Sequence, residues 1–196
     1  MALLRPLSLR PGRTQRRWGV VLAALLWSAL AAPAPGMAEQ ASLEYAVKAN
    51  YLYKLGPFVE WPPGAFPGPA SPFNVCILGD DPFGQTLEEA VGRQTVDGRP
   101  VAVRRLTAIS GVPACHVLYL GRGRSQAAED ALKALRGAPV LTVTDEGQGS
   151  HGGVVHFVLR GGRVRFGLDV ALARANGLTI SSKLQSLSIA LRGDAR

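Results

Sequence analysis

The chain has 196 residues, 47% hydrophobic and 18% charged, with a formal charge of +8, a length that suits one domain with one core. Arg5, Arg10, Arg13, Arg16 and Arg17 stand before residue 18 with no acid among them; setting these five aside from the 22 lysines and arginines leaves 17 against 14 acids, or +3. So mild an excess gives no case for nucleic acid, which needs a concentrated basic face.

Those arginines precede the apolar run Trp18 to Ala32, about 15 residues long, short of the roughly 20 that span a bilayer. Pro33, Pro35 and Gly36 break it before a small-x-small site, Gly36-Met37-Ala38. The pattern predicts a signal peptide over residues 1–38, cleaved after Ala38 with Ala34 as second choice, and one exported domain over 39–196. An uncleaved anchor is the alternative. Arg16-Arg17 keeps twin-arginine export open beside the general secretory route, although Gly19 stands where that signal usually carries an apolar residue.

Residues 43–58 read as a helix with Leu43, Ala46, Val47, Tyr51, Leu55 and Phe58 on one face and Tyr45, Ala49, Leu52 and Tyr53 on another. A helix apolar nearly all round is either sandwiched in a core or offers one stripe to a partner. Pro62 and Pro63 end this segment, and the Gly- and Pro-rich link 64–72 leads into a strand at 73–78. Asp80-Asp81-Pro82 starts a short helix through Leu87 and Val91. Residues 100–106 and 115–120 read as the next strands. Ser125 caps a helix carrying Ala128, Ala131, Leu132 and Leu135, which Gly137 stops, and residues 140–144 form a fourth strand. Alternating strands and helices predict an α/β domain with a central, mostly parallel sheet and helices on both faces.

Residues 154–159 and 164–169 flank Arg160-Gly161-Gly162-Arg163, an antiparallel hairpin signal. A two-residue turn pairs Leu159 with Val164, Phe157 with Phe166 and Val155 with Leu168 on the core face. The opposite face holds Val154, His156, Val158, Arg163, Arg165, Gly167 and Asp169, a mixed surface that is the leading candidate for partner binding. An ordinary exposed sheet face is the alternative. Helices over 171–175 and 182–191, the second with Leu184, Leu187 and Leu191 inward, complete the chain.

Two cysteines, Cys76 and Cys115, lie in or beside buried strands. In an oxidising compartment they predict a disulfide if those strands are neighbours; two buried free thiols are the alternative. A catalytic Cys115–His116 pair is disfavoured because adjacent strand residues point to opposite faces. Gly121-Arg122-Gly123 resembles a phosphate loop, but residue 126 is Gln. Asp80-Asp81 is explained by starting a helix. His116, His151 and His156 lack zinc-ligand spacing, and Ser150-His151 has no nucleophile elbow. No active site, metal site or cofactor site is read from the chain.

Tyr45-x-x-Lys48-Ala49-x-x-Leu52-Tyr53, continuing to Phe58-Val59-Glu60-Trp61-Pro62, resembles the amino-terminal signature of the YfiR family of exported bacterial proteins. Val164-Arg165-Phe166-x-Leu168, Ala173 and Gly177-Leu178-x-Ile180-Ser181-Ser182-x-Leu184 resemble its carboxy-terminal signature. Val75-x-Ile77-Leu78-Gly79-Asp80-Asp81-Pro82-Phe83-Gly84 and Cys115-His116-Val117-Leu118-Tyr119 are similar to its middle blocks. Departures occur at Gly167, Asp169, Lys54, Leu55 and Pro57. The resemblance implies a periplasmic, non-enzymatic regulator that represses an inner-membrane diguanylate cyclase through the cyclase's periplasmic domain. It also implies possible sequestration by an outer-membrane lipoprotein and coupling of envelope or redox stress to cyclic-di-GMP, biofilm and motility. On that reading the partner surface comprises His156, Arg163, Arg165, Gly167 and Asp169 with Ile180 and Lys183, and the second stripe of the first helix leaves a homodimer open. A periplasmic small-ligand sensor is the competing class, and a secreted hydrolase the third.

Overall fold

The computed structural model describes residues 36–190 apart from 112–113 and 124–125. Residues 1–35 of the predicted signal peptide 1–38, the Ser125 cap and Leu191 lie outside the described residues.

The first helix, α1, spans Gly36–Lys54, starting and ending earlier than its periodicity predicts. It gives way to a tight turn at Gly56–Phe58. A Cβ on Gly56 would lie 2.8 Å from the side chains of Phe73 and Val96, so close packing demands glycine here. The faces of α1 also differ from expectation. Leu43 is 66% and Val47 38% exposed, while Lys48, Ala49, Leu52, Tyr53 and Leu55 are buried.

A seven-stranded sheet follows. Its parallel centre runs β4 (Arg99–Leu106), β2 (Phe73–Leu78), β5 (Val117–Leu120), β6 (Leu141–Asp145), β7 (Val155–Arg160). The edges are antiparallel additions, β3 (Thr95–Val96) on β4 and β8 (Arg163–Leu168) on β7. The fold is thus the predicted mixed, mostly parallel α/β sheet. The hairpin register is also as predicted, with Phe157 opposite Phe166 and Leu159 opposite Val164. Gly161 and Gly162 take φ of 57° and 70°, the left-handed pair that a two-residue turn between twisted strands requires.

The predicted strands match within two residues. The β3–β4 hairpin was not anticipated, nor was the short antiparallel ladder of β1 (Val59–Glu60) with β9 (Thr179–Ile180), because two-residue strands carry no periodicity. Helix α2 is Gln85–Val91, later than Asp80-Asp81-Pro82 implies. The Asp81 carboxylate instead accepts from the Phe83 and Gly84 amides, forming a turn. Helix α3 is Ala128–Ala134, α4 is Val170–Ala175 and α5 is Ser182–Leu187. The last is shorter than predicted: backbone at Ser188 is extended, and Leu187 is 59% exposed rather than inward.

All six β2 residues are buried, as a strand covered on both faces should be. Phe73, Val75 and Ile77 join Val117, Tyr119, Val143, Val155, Phe157 and residues of α1 and α2 in the larger core cluster. Cys76 and Leu78 join Leu118, Leu120, Val140 and the α3 residues Ala131 and Leu135 in the second.

Candidate functional site

Chain order reverses at β2, whose successors lie on its two sides, β4 on one and β5 on the other. The carboxyl ends of β2 and β5 therefore mark the crevice where open α/β sheets hold ligands. Here the loops close on each other. The Asp80 amide donates to Arg122 O at 2.8 Å and the Gly121 amide to Leu78 O at 2.9 Å. A Cβ on Gly121 would sit 2.1 Å from Asp80 O, and one on Gly79 2.6 Å from Arg122 O. Phe83 packs edge-on against Tyr119 and Tyr45, centroids 4.7 and 5.7 Å away. Asp81 pairs with Arg105 at 2.7 Å, so it serves the turn and an ion pair.

Helix α1 completes the cover. Lys48 Nζ donates to Asp145 Oδ1 and Oδ2 at 2.8 and 2.7 Å and also to Glu44. Tyr119 donates its phenol to Asp145 Oδ2 at 2.7 Å, and the Gly147 amide donates to Oδ1. Lys48 Nζ stands 4.7 Å from the Tyr45 ring centroid, and Gln148 donates to the Tyr45 hydroxyl. Burial alone would lower the Lys48 pKa, but the hydrogen bonds to Asp145 and Glu44 outweigh it and hold the ammonium above its ordinary value. Burial, then the Asp145 charge, pushes the Tyr119 phenol far upward. Each charge is paired and hydrogen-bonded, the condition under which buried ions persist. The arrangement is a clamp of α1 onto β5 and β6. Sequence reasoning took Lys48 only as a signature residue and passed over Asp145. A lysine flanked by Ala49, Leu52 and Tyr45 on an otherwise buried face was the available signal.

The remaining candidate residues have structural employment. Ser150 is buried; its hydroxyl donates to Leu120 O and accepts from the Asp145 amide. His116 is stacked between Phe66 and Phe73, centroids 4.1 and 5.2 Å away. Its Nδ1 accepts from the Asn74 amide at 2.9 Å, so Nε2 carries the proton toward Ala65 O at 3.1 Å. Burial depresses its pKa, with Arg99 adding to the effect. Beside it lies a cavity of about 320 Å³ lined by Ala65, Asn74, Cys115, His116 and Val140. The Cys76–Cys115 disulfide is formed, Cα atoms 5.8 Å apart.

The hairpin face is only partly a surface. Val154, Val158 and Gly167 are buried, while Arg163, Arg165 and Asp169 are exposed. His156 is half-buried, with Nδ1 2.9 Å from Thr144 Oγ1 and its ring 5.0 Å from that of His151. Burial first, then His151, lowers the His156 pKa. Asp169 caps α4, its carboxylate accepting from the Leu172 amide at 2.7 Å. Ile180 is 5% exposed and pairs with Val59, which removes it from the predicted surface. Lys183 is exposed, with Nζ 5.8 Å from the Phe58 ring centroid.

A family model described as YfiR/HmsC-like matches residues 45–189, from within α1 to just past α5. The chain belongs to the YfiR/HmsC-like family. This is a family of periplasmic regulators of diguanylate cyclase signalling rather than of enzymes. No curated protein matches the chain significantly.

Proposed function

We propose that the chain is exported to the periplasm and there represses an inner-membrane diguanylate cyclase by binding the cyclase's periplasmic domain. The observation that carries this reading is the family match across 45–189. The covered crevice supports it too: Lys48, Tyr45, Phe83 and the two strand-end loops occupy the place where a ligand-sensing α/β domain would hold its ligand. A repressor must bind the inactive cyclase better than the active one. A preference of roughly 3 kcal/mol shifts a two-state target by more than a hundredfold. The exposed part of the hairpin, Arg163 and Arg165, is the proposed contact surface. An outer-membrane lipoprotein would compete for the regulator, and the disulfide would tie repression to envelope redox state.

The test is a pull-down of residues 39–196 from native membranes under oxidising and reducing conditions. Co-purification of a membrane diguanylate cyclase, lost on reduction, is expected. Absence of any membrane partner in both conditions would sink the repressor reading and turn attention to a ligand in the cavity beside His116.

A further inference from the structure

The strand β8 ends the seven-stranded sheet, and its backbone bonds reveal which groups face outward. The Asp169 amide donates to Val154 O at 2.8 Å. In an antiparallel pair this makes Arg163, Arg165 and Gly167 the residues that exchange hydrogen bonds with β7, so Val164, Phe166 and Leu168 aim their amides and carbonyls away from the sheet. One outward group is already used: Phe166 O accepts from the Ile189 amide at 2.9 Å. Among the described residues, the Val164 amide and carbonyl and the Phe166 amide have no hydrogen-bond partner. Such an edge accepts a further strand.

The side chains beside that edge select its occupant. Arg163 lies directly opposite Arg160, with Arg165 opposite Val158. Like charges in direct opposition destabilise a hairpin. Glu146 neutralises Arg160, Nη1 to Oε2 at 2.7 Å, but among the described residues Arg163 and Arg165 have no acidic partner. A second copy is a poor occupant. Ile189 already takes Phe166 O, so two β8 edges would pair about Val164, which sets Arg163 against Arg165 twice.

The geometry points to the β8 edge as the place where an extended acidic segment of a partner protein adds as a strand. Its backbone bonds Val164 and Phe166, and its carboxylates meet Arg163 and Arg165. The inference rests on the repressor reading, since it assigns that segment to the cyclase's periplasmic domain.

The decisive variant is Val164→Pro. It removes an outward amide and no β7–β8 bond, the one kind of sheet position that tolerates proline. The probe is the periplasmic domain of the cyclase recovered in the pull-down, and the readouts are affinity, thermal melting and amide hydrogen exchange. Binding should protect the Val164 and Phe166 amides. Because the Val164 side chain packs against the core, Val164→Pro is compared with Val164→Ala, which loses the same packing but keeps the amide: Val164→Pro should bind about tenfold more weakly than Val164→Ala, as loss of an interface hydrogen bond implies. Arg163→Glu/Arg165→Glu should weaken it at least as much and flatten its salt dependence. Equal binding by Val164→Pro and Val164→Ala, with those amides unprotected in the parent complex, overturns the strand addition and leaves the repressor reading standing. Failure of the parent chain to bind any cyclase domain overturns both. If Val164→Pro does not fold, amide protection in the parent complex decides alone.

Discussion

Lys48 and Asp145 lie 97 residues apart in the chain and make a buried, bidentate contact. Removing one partner leaves the other as an uncompensated ion, which costs about 3–5 kcal/mol. Lys48→Met should therefore destabilise the domain by that amount in urea unfolding. Lys48→Met/Asp145→Leu should recover part of the loss, because the fully buried Asp145 charge is then removed and the remaining Glu44 carboxylate keeps access to solvent. A single variant as stable as the parent would show that α1 is held by its apolar contacts alone. The histidines make a second prediction at this scale. His116 and His156 both have folded pKa values below the ordinary 6.5, through burial. As pH falls past 6.5 the unfolded chain takes up protons that the folded protein resists. Stability is lost between that pH and the folded pKa values and levels off once both states are protonated. Melting temperature should accordingly fall from pH 7 to pH 5, and both rings should titrate below free histidine by NMR. A ring titrating above free histidine would refute the burial argument for that residue. Asp169 is a poorer probe of binding than the sequence implies: as a helix cap, its replacement by arginine should itself cost about 1 kcal/mol, whereas the exposed Arg165 side chain makes no hydrogen bond or ion pair among the described residues.

Among elements, the disulfide ties Cys76, inside β2, to Cys115, just before β5, across a separation of 39 residues. Loop closure on that scale stabilises by about 4 kcal/mol in the chain-entropy model. Cys76→Ala/Cys115→Ala should lose an amount of that order in denaturant unfolding under oxidising conditions, and the parent should lose it on adding a reductant. Equal stability of parent and double variant would remove the physical basis for redox-coupled repression. The hairpin shows how much an element can specify locally. Alternation of core residues and the Gly161-Gly162 turn together determine its register, since any one-residue slip would send Phe157 and Phe166 to the wrong face. By contrast α1 is apolar on most of its circumference, so periodicity could not rank its faces. Docking buried the Lys48–Leu52 side and left Leu43 and Val47 in solvent.

For the whole molecule, the stripe on which the dimer expectation rested, Tyr45, Ala49, Leu52 and Tyr53, is packed into the domain's own core, so a dimer through α1 would have to use Leu43 and Val47 on the other face. Leu43→Glu/Val47→Glu should convert a dimer to a monomer in sedimentation equilibrium without lowering the melting temperature, since neither side chain is in the core. A parent chain already monomeric at micromolar concentration would end the dimer expectation.

Local pattern alone determined the α/β class, the central strands within two residues and the hairpin register, because side-chain alternation and turn glycines act over short stretches. The strand order, the α1 clamp, the burial of Ile180 against Val59 and the free edge of β8 were decided only by tertiary structure. Each depends on which distant segment arrives as a neighbour, and periodicity says that a face will be covered without saying by what.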